Sequence, residues 1–401
     1  MSARLKRKIP KLSFPIALLA GTFSTLCFYH VSHGPVSSPD TGTFSEWADL
    51  LISVNFNFFS YYSSNDFVVP SYLYTIPVTL VAALKITFGE AWKISFLIVN
   101  LASLLGILAF GYKTLRLLLI PPIISSLAFV TLFVSDAYLV WPRYVLTDTI
   151  FSASVVAAFF LLISIFKSGS SGRHLFSSLD FGVIAILGVM TFTRPTAAPY
   201  IAAIGGCWAL TFFALERAFF TAKHVLVASA VILFVSGLLS STLYWAQLFT
   251  SLEIRALNFL GAKYSEGMVV LARPETWAAP PTNWLEIFKI YWLKVFYFWA
   301  PWAEGFSLIH KLLNALFWFF CAGALVGWGI YKPQLHPIQR DYLKLLVISL
   351  ACVTAFQAAT MVDFDWRYRY PLVIPILIGA SCLYWQIVTQ LTHVKRTKIN
   401  E

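Results

Sequence analysis

The chain has 401 residues, of which 59% are hydrophobic, 17% are aromatic and only 12% are charged. Soluble domains carry about 25% charged residues, so this composition excludes a soluble enzyme or a freestanding binding module. The formal net charge of +11 would suit a nucleic-acid partner. The basic residues flank apolar runs, however, as they do at the cytoplasmic ends of transmembrane helices. The sequence therefore predicts a polytopic helical membrane protein that has no nucleic-acid partner.

Apolar runs long enough to cross a bilayer recur along the whole chain. The first follows a basic tail, 1–13, and lacks a small-residue cleavage site, which predicts a retained anchor with a cytoplasmic N-terminus. Assigning the short loops rich in Lys and Arg to the cytoplasm predicts about ten spans, both termini inside, and a cytoplasmic tail at 392–401. The predicted spans are 14–32, 94–112, 118–134, 149–166, 181–193, 196–215, 225–244, 312–330, 345–361 and 372–391.

Segment 72–88 is apolar, but it is predicted to lie at the outer surface. It contains Pro77 and Lys85, and counting it as a span would move each later basic loop to the wrong side of the membrane. It therefore belongs to an outer loop, 33–92, that carries surface helices.

A second surface segment is predicted at 284–302. It is rich in Trp and contains Lys289 and Lys294, and this combination favours the headgroup region of the bilayer. It forms part of a second long outer segment, 247–310.

The unusual polar groups gather on the predicted outer side of the membrane. Asp40 is expected in a turn ahead of a short surface helix, 44–52. Asp148 lies at the mouth of a later helix, and Arg194 forms the tip of a helical hairpin. The charged residues near the last span are Asp363, Asp365, Arg367 and Arg369. Because charged groups at membrane depth are costly, a cluster on one side predicts a functional site.

Such a cluster suits a transfer reaction on a lipid phosphate. Arginines can clamp a departing phosphate, and a carboxylate can take the proton of an acceptor hydroxyl. The chain has no Gly-rich phosphate loop and no Rossmann pattern, which favours a donor reached from the membrane over a nucleotide sugar. The five cysteines lack metal-ligand spacing. No cofactor is required, although Asp40 and Asp148 could together hold one divalent cation.

Each charged group also has a simpler interpretation. Asp148 could serve only as the N-terminal cap of the helix that follows it. Arg194 could bind lipid headgroups from a turn, and Arg367 and Arg369 could anchor lipid phosphates. Asp40 could be an ordinary turn residue.

Five short motifs follow one another along the chain. They are Asp40-x-x-x-Phe44-x-x-x-Ala48, Pro70-Ser-Tyr-Leu-Tyr74 leading to Phe88-Gly89, Leu146-Thr147-Asp148, Thr193-Arg194-Pro195 and Arg369-Tyr370-Pro371-x-x-x-Pro375. In this order they resemble the GT-C superfamily of polytopic glycosyltransferases, which use polyprenyl-phosphate sugars. The bacterial branch with protein O-mannosyltransferases and aminoarabinose transferases is the most similar. The sequence differs from the family pattern at Thr41, because the family usually has an Asp-Glu pair where this chain has Asp40-Thr41.

The resemblance implies an all-α, GT-C-like membrane bundle with Asp40 as catalytic base and Asp148 as a second acid. The expected enzyme lies in a bacterial inner membrane. On the extracytoplasmic face it moves one sugar, with inversion, from a polyprenyl phosphate to a lipid-linked glycan, lipopolysaccharide or protein. The residues expected at the donor phosphate are Arg194, Arg367 and Arg369. Further expected substrate contacts are His33, Tyr74, Lys263 and Asp365.

Two other functions stay open from the sequence. A flippase or transporter of lipid-linked sugars would need polar groups near the bilayer midplane and inverted repeats, and neither is evident. A glycan polymerase would use a large outer loop with paired arginines, and Arg255, Lys263 and Arg273 in 247–310 keep that possibility alive.

Overall fold

A computed structural model of the protein describes residues 13–63, 71–168, 177–215, 266–270, 274–301, 307–359 and 368–400. Within these ranges the regular secondary structure is helical, apart from an isolated bridge between Val36 and Tyr144. The helices are α1 (Phe14–His33), α2 (Pro39–Ser53), α3 (Phe58–Ser63), α4 (Thr75–Phe88), α5 (Trp92–Leu117), α6 (Pro122–Val130), α7 (Asp136–Val140), α8 (Asp148–Ser168), α9 (Ser178–Thr191), α10 (Ala198–Leu215), α11 (Trp284–Trp299), α12 (Leu308–Tyr331), α13 (Pro337–Ala359) and α14 (Tyr370–Asn400).

Six helical stretches in the described ranges are long and apolar enough to cross a membrane. The segment that contains α6 and α7 adds a seventh if the bent pair is one span. α9, and α10 as far as Thr211, are apolar but shorter. The prediction of a helical membrane protein is therefore confirmed. The predicted span at 225–244, most of the basic tail and part of 247–310 lie outside the described residues.

The span predicted at 118–134 is not one continuous helix. α6 begins at Pro122, where the missing N–H suits the start of a helix, and it is only nine residues long. A 3-10 turn follows, and Ser135 has an extended backbone. The chain consequently bends by 72° on its way into α7. This segment is a broken span or a re-entrant loop, because the local backbone interrupts an otherwise apolar run.

α4 and α5 join through a 3-10 turn into one apolar stretch of 46 residues, Tyr72–Leu117. At 1.5 Å per residue its length is about 69 Å, more than twice the hydrocarbon core of a bilayer. Lys85 of α4 forms an ion pair of 2.7 Å with Asp49 of α2. Only part of the stretch can lie in hydrocarbon, and this ion pair favours the predicted surface position of 72–88.

α2 begins earlier than the sequence suggests. Pro39 occupies the first turn, and Ser38 caps the helix in a capping box with Thr41. Asp40 therefore lies inside the first turn of α2 and not in the turn that was predicted ahead of it. Pro and Asp favour the first turn of a helix as well as loops, so the sequence Pro-Asp alone does not separate the two.

Buried apolar side chains form two main clusters. The larger cluster fills the helix bundle and draws on α5, α8, α13 and α14, among others. The smaller cluster lies under α2, between α2, α4 and the start of α5, and includes Val145 and Leu146. The loop that leads to Asp148 is thus packed beneath the helix that carries Asp40.

α11 covers most of the surface segment predicted at 284–302. Its exposed face includes Leu285, Phe288 and Trp292, as expected for a helix against lipid. Lys294 is buried, however, and burial lowers the pKa of its side chain to about 8.

Near the C-terminus, α14 continues to Asn400, so the predicted cytoplasmic tail is helical as far as that residue.

The contact between α5 and α6 tests this packing. A Cβ at Gly111 would lie 2.7 Å from Cζ of Phe129, whose ring is fully buried, whereas a Cβ at Gly106 meets nothing within 4 Å. We expect Gly111→Ala to lower the free energy of unfolding by about 1–3 kcal/mol relative to Gly106→Ala, because the added methyl overpacks the contact. Unfolding in detergent measures the difference, and equal stabilities would contradict the close approach.

Candidate active site

A cavity of about 220 Å³ lies between α2, the loop before α8 and the turn between α9 and α10. Both predicted catalytic acids, Asp40 and Asp148, line it. Arg194 and Tyr74 line it too. The other lining residues are Thr43, Phe44, Trp47, Leu146, Thr147, Thr196 and Tyr368. The structure thus brings together four residues that the sequence nominated from four separate segments.

Asp148 and Arg194 form a buried ion pair at the floor of this cavity. Asp148 is the first residue of α8 and is 1% exposed, and Arg194 is 6% exposed. The Arg194 guanidinium donates a hydrogen bond to the Asp148 carboxylate. Because removing either charge from water alone is costly, the two charges must be buried together. Arg194 is therefore held at the cavity by its pairing with Asp148 and is not an exposed turn residue.

Two aromatic rings enclose the Arg194 guanidinium. Its Cζ lies 5.4 Å from the ring centre of Tyr368 and 5.9 Å from that of Phe151, within the range of cation–π attraction. The hydroxyl of Tyr200 donates to the Tyr368 carbonyl at 2.9 Å. The arginine is therefore held by groups from α8 and from the segment just before α14, and Tyr200 of α10 fixes that segment.

Asp40 occupies a different environment from Asp148. It is partly exposed on the cavity wall, whereas Phe44 and Ala48, about one and two turns further along α2, are buried in the smaller cluster. This packing fixes the face of α2 that points inward. The two acids of the cavity are thus one buried carboxylate in an ion pair and one carboxylate that solvent can reach.

Three aromatic rings form one wall of the cavity. The ring centres of Phe44 and Trp47 are 6.3 Å apart, and those of Phe44 and Tyr74 are 5.5 Å apart. Trp47 and Tyr74 are separated by 5.7 Å. Such rings offer apolar faces together with polar edges. Trp47 was not nominated from the sequence, although its spacing of three from Phe44 puts both on one helix face.

The loop before α8 is tied to the segment before α2. The N–H of Val36 donates to the Arg143 carbonyl at 2.8 Å, and the N–H of Val145 donates to the Val36 carbonyl at 3.0 Å. The Arg143 side chain donates to the carbonyls of Gly34 and His33 at 3.1 and 3.0 Å. These bonds join the end of α1, the start of α2 and the approach to Asp148.

Asn100 of α5 binds the same loop and was not predicted from the sequence as a site residue. Its side-chain amide donates to the carbonyls of Pro142 and Tyr144 at 3.1 and 2.9 Å. Asn100 is fully buried in α5. A lone amide in an otherwise apolar span was the available signal, since a buried polar group requires partners.

Arg369 takes a position that the sequence did not suggest. It is buried, and its guanidinium donates to the carbonyls of Phe298 and Ala300 at 2.9 and 2.8 Å. Its Cζ also lies 5.1 Å from a ring centre of Trp318. Arg369 therefore joins the end of α11 to the start of α14 and is not among the described lining residues of the acidic cavity.

Of the remaining predicted site residues, only His33 lies in the described part of the chain, and it is not among the described lining residues of the cavity. His33 is exposed at the end of α1, and its ring contacts the Tyr29 carbonyl at 2.8 Å. Lys263, Asp365 and Arg367 lie outside the described residues. In the described ranges, no group of three or more His, Cys, Asp or Glu side chains could hold a metal ion.

A second and larger cavity opens among α11, α12, α13 and α14. It has a volume of about 720 Å³ and a mostly apolar lining that includes Trp299, Trp318 and Leu350. Two consecutive residues before α14 contact the two cavities. Tyr368 lines the acidic cavity, and Arg369 packs on Trp318 of the apolar one.

Comparison of the chain with protein-family models, with curated proteins and with solved structures found no match. The resemblance to the GT-C superfamily therefore rests on the motifs of this sequence.

The ion pair at the floor gives a direct test of the site's geometry. We expect Arg194→Gln to lower the free energy of unfolding by about 3–5 kcal/mol, because Asp148 would stay buried without its cation. The double variant Asp148→Asn/Arg194→Gln should be more stable than Arg194→Gln, since no buried charge is left alone. Unfolding of the purified variants in detergent measures both effects.

The matched control is Lys344→Gln, which breaks an exposed ion pair with Asp341 of 3.7 Å. Exposed pairs contribute little, so the change should stay within about 0.5 kcal/mol. If both single variants changed stability equally, the burial of the Asp148–Arg194 pair would be contradicted.

Proposed function

We propose that the protein is a membrane glycosyltransferase. It moves a sugar from a polyprenyl-phosphate donor to a hydroxyl of a lipid-linked glycan, lipopolysaccharide or protein. The observation that carries the proposal is the meeting of Asp40, Asp148 and Arg194 in one cavity beside a large apolar one. A lipid phosphate sugar needs both environments, because its reacting end is polar and charged while its chain is apolar.

Asp40 is the general base in this proposal. Asp148 is committed to the buried ion pair with Arg194, whereas Asp40 is partly exposed on the cavity wall. Its carboxylate accepts the proton of the acceptor hydroxyl while the hydroxyl oxygen bonds to the anomeric carbon. The bond from that carbon to the phosphate oxygen breaks, and its electron pair leaves with the phosphate. Attack from the opposite side inverts the anomeric carbon.

Arg194 is assigned to the leaving group. Negative charge grows on the phosphate as the glycosidic bond breaks, and a guanidinium fixed in advance stabilises that charge without reorganisation. The ion pair with Asp148 and the rings of Tyr368 and Phe151 hold Arg194 in place. Arg367, Lys263 and Asp365 keep their predicted substrate contacts as part of the proposal.

The sugar is assigned to the aromatic wall and the polyprenyl chain to the apolar cavity. Phe44, Trp47 and Tyr74 present the faces on which a sugar ring can pack. The walls of the larger cavity are aliphatic and aromatic, so an isoprenoid chain there stays in apolar surroundings like those of the bilayer, and close packing against the walls favours its binding. Arg369 follows Tyr368 of the acidic cavity and packs on Trp318 of the apolar one.

The proposal includes a GT-C-like bundle of about ten spans in a bacterial inner membrane. Both termini are cytoplasmic, and the acidic cavity faces outward. The positions of Lys and Arg support this orientation. In the described residues, six helical stretches are long and apolar enough to cross a membrane, and the segment with α6 and α7 adds a seventh if the bent pair is one span; the remaining spans are part of the proposal. No metal is assigned to the reaction.

Asp40→Asn tests the assignment of the base. We expect kcat for sugar transfer to fall by about 10²- to 10⁴-fold, because the amide cannot accept the acceptor's proton. The control is Asp49→Asn, which removes an exposed acid on the same helix and should keep kcat within about twofold. Transfer from a radiolabelled polyprenyl-phosphate sugar in membranes measures both. Full activity of Asp40→Asn would remove Asp40 as the base.

The same assay separates the proposal from a flippase. A transferase converts the donor into free polyprenyl phosphate and a glycosylated acceptor. A flippase changes only the leaflet in which an intact lipid-linked sugar is found. Wild-type protein that moved the donor between leaflets without releasing polyprenyl phosphate would contradict the proposal.

Ala351→Trp tests the assignment of the apolar cavity. Ala351 lines that cavity, so an indole there should occupy space needed by a long chain. We expect KM for a donor with a long polyprenyl chain to rise about tenfold, while KM for a donor with a short prenyl chain changes little. This expectation corresponds to roughly 1.4 kcal/mol of lost binding.

The control for the apolar cavity is Val326→Trp, which adds the same indole to α12 at an exposed position that is not part of the cavity lining. Its KM for both donors should match the wild type. An equal rise of KM for short and long donors in Ala351→Trp would contradict the assignment, because the loss would then be independent of chain length.

A further inference from the structure

Thr41 follows Asp40 directly and stands where the resemblance predicts a second acid. It is 3% exposed. Its hydroxyl donates to the carbonyl of Val145 at 3.1 Å and accepts a hydrogen bond from the N–H of Ser38 at 2.9 Å. A hydroxyl can do both at once, whereas a carboxylate can only accept when ionised. The geometry at this position therefore suits Thr and not an acid.

The bond from Thr41 to Val145 joins the two segments that carry the acids. Thr41 is adjacent to Asp40 in α2, and Val145 lies three residues before Asp148. Val145 is itself fixed, because its N–H donates to the Val36 carbonyl and its side chain is buried in the smaller cluster. The Thr41 hydroxyl thus connects the start of α2 to a loop that has little freedom to move.

The cap at the start of α2 does not by itself set the orientation of α2 relative to the loop that contains Val145. A capping box satisfies N–H groups within the helix end itself, so it stabilises the first turn without setting its position relative to another segment. The bond from the Thr41 hydroxyl to the Val145 carbonyl sets that relative position. It spans 104 positions in the sequence and is buried, so its loss would leave the Val145 carbonyl without this partner.

We propose that Thr41 is a positioning residue that holds Asp40 at a fixed distance and orientation relative to the Asp148–Arg194 pair. The inference rests on the proposed function, in which Asp40 accepts the acceptor's proton. A base displaced by about 1 Å loses up to about 10²-fold in rate. Thr41 acts through Asp40 and does not itself touch the reacting atoms.

The test compares Thr41→Val with Thr41→Ser in the donor-transfer assay. Val keeps the shape of Thr but removes the hydroxyl, so we expect kcat to fall about 10- to 100-fold with KM for the donor within twofold. Ser restores the hydroxyl and should keep kcat within about threefold of the wild type. A loss of kcat in both variants alike, or in neither, would overturn the inference.

Ser38→Ala separates positioning from capping. It removes the side chain that caps α2 but leaves the bond from Thr41 to Val145 in place. Its thermal midpoint should fall in the same direction as that of Thr41→Val, while its kcat stays within about threefold of the wild type. If Ser38→Ala lost as much kcat as Thr41→Val, the effect would come from helix capping and the inference would fail.

Asp40→Asn, measured in parallel, separates this inference from the proposed function. Inactive Asp40→Asn together with fully active Thr41→Val would overturn the role of Thr41 alone. Fully active Asp40→Asn would overturn the base assignment, on which the inference depends. Inactive Asp40→Asn with a selective loss of kcat in Thr41→Val, rescued by Thr41→Ser, is the expected result.

Discussion

The buried ion pair of Asp148 and Arg194 is the constraint on which the site depends. Two charges lie in an apolar bundle, and each is tolerable only because the other is there. The pair holds the start of α8 to the turn before α10, and Tyr368 on the arginine adds the start of α14. Three helix ends are thereby assembled at one place. The floor of the acidic cavity is the result of that assembly.

A second layer completes the cavity and separates the two acids. α2 packs over Val145 and Leu146, and the hydroxyl of Thr41 binds the loop directly. Asp148 is consequently buried and paired, whereas Asp40 stays partly exposed on the wall. One carboxylate is thus buried in an ion pair, and the other is reached by solvent. The proposed transfer reaction uses this difference, because a general base must be accessible to the substrate, whereas Asp148 stays buried in its ion pair.

Features set by the hydropathy of consecutive residues were predictable from the sequence, whereas one local break in the backbone and the partners of the buried polar groups were not. Long apolar runs predict α1, α5 and α8 because hydropathy is a property of consecutive residues. The break in the helix at Ser135 was not predicted, because a single extended residue does not change the hydropathy of the run. The partners of Arg369, two carbonyls at the end of α11, were not predictable either. Position in a motif identifies a residue type but not its partner.

By itself the sequence determined the class of the molecule and the unusual residues on which a site could depend. Apolar length specifies membrane helices, and rare charges in such a chain are conspicuous, because both are visible without knowing what touches what. Only the tertiary structure decided the partners. The bond between Arg194 and Asp148 joins positions 46 apart, and that between Thr41 and Val145 joins positions 104 apart. Such pairs exist only once the helices have packed, since packing brings the groups within hydrogen-bond reach.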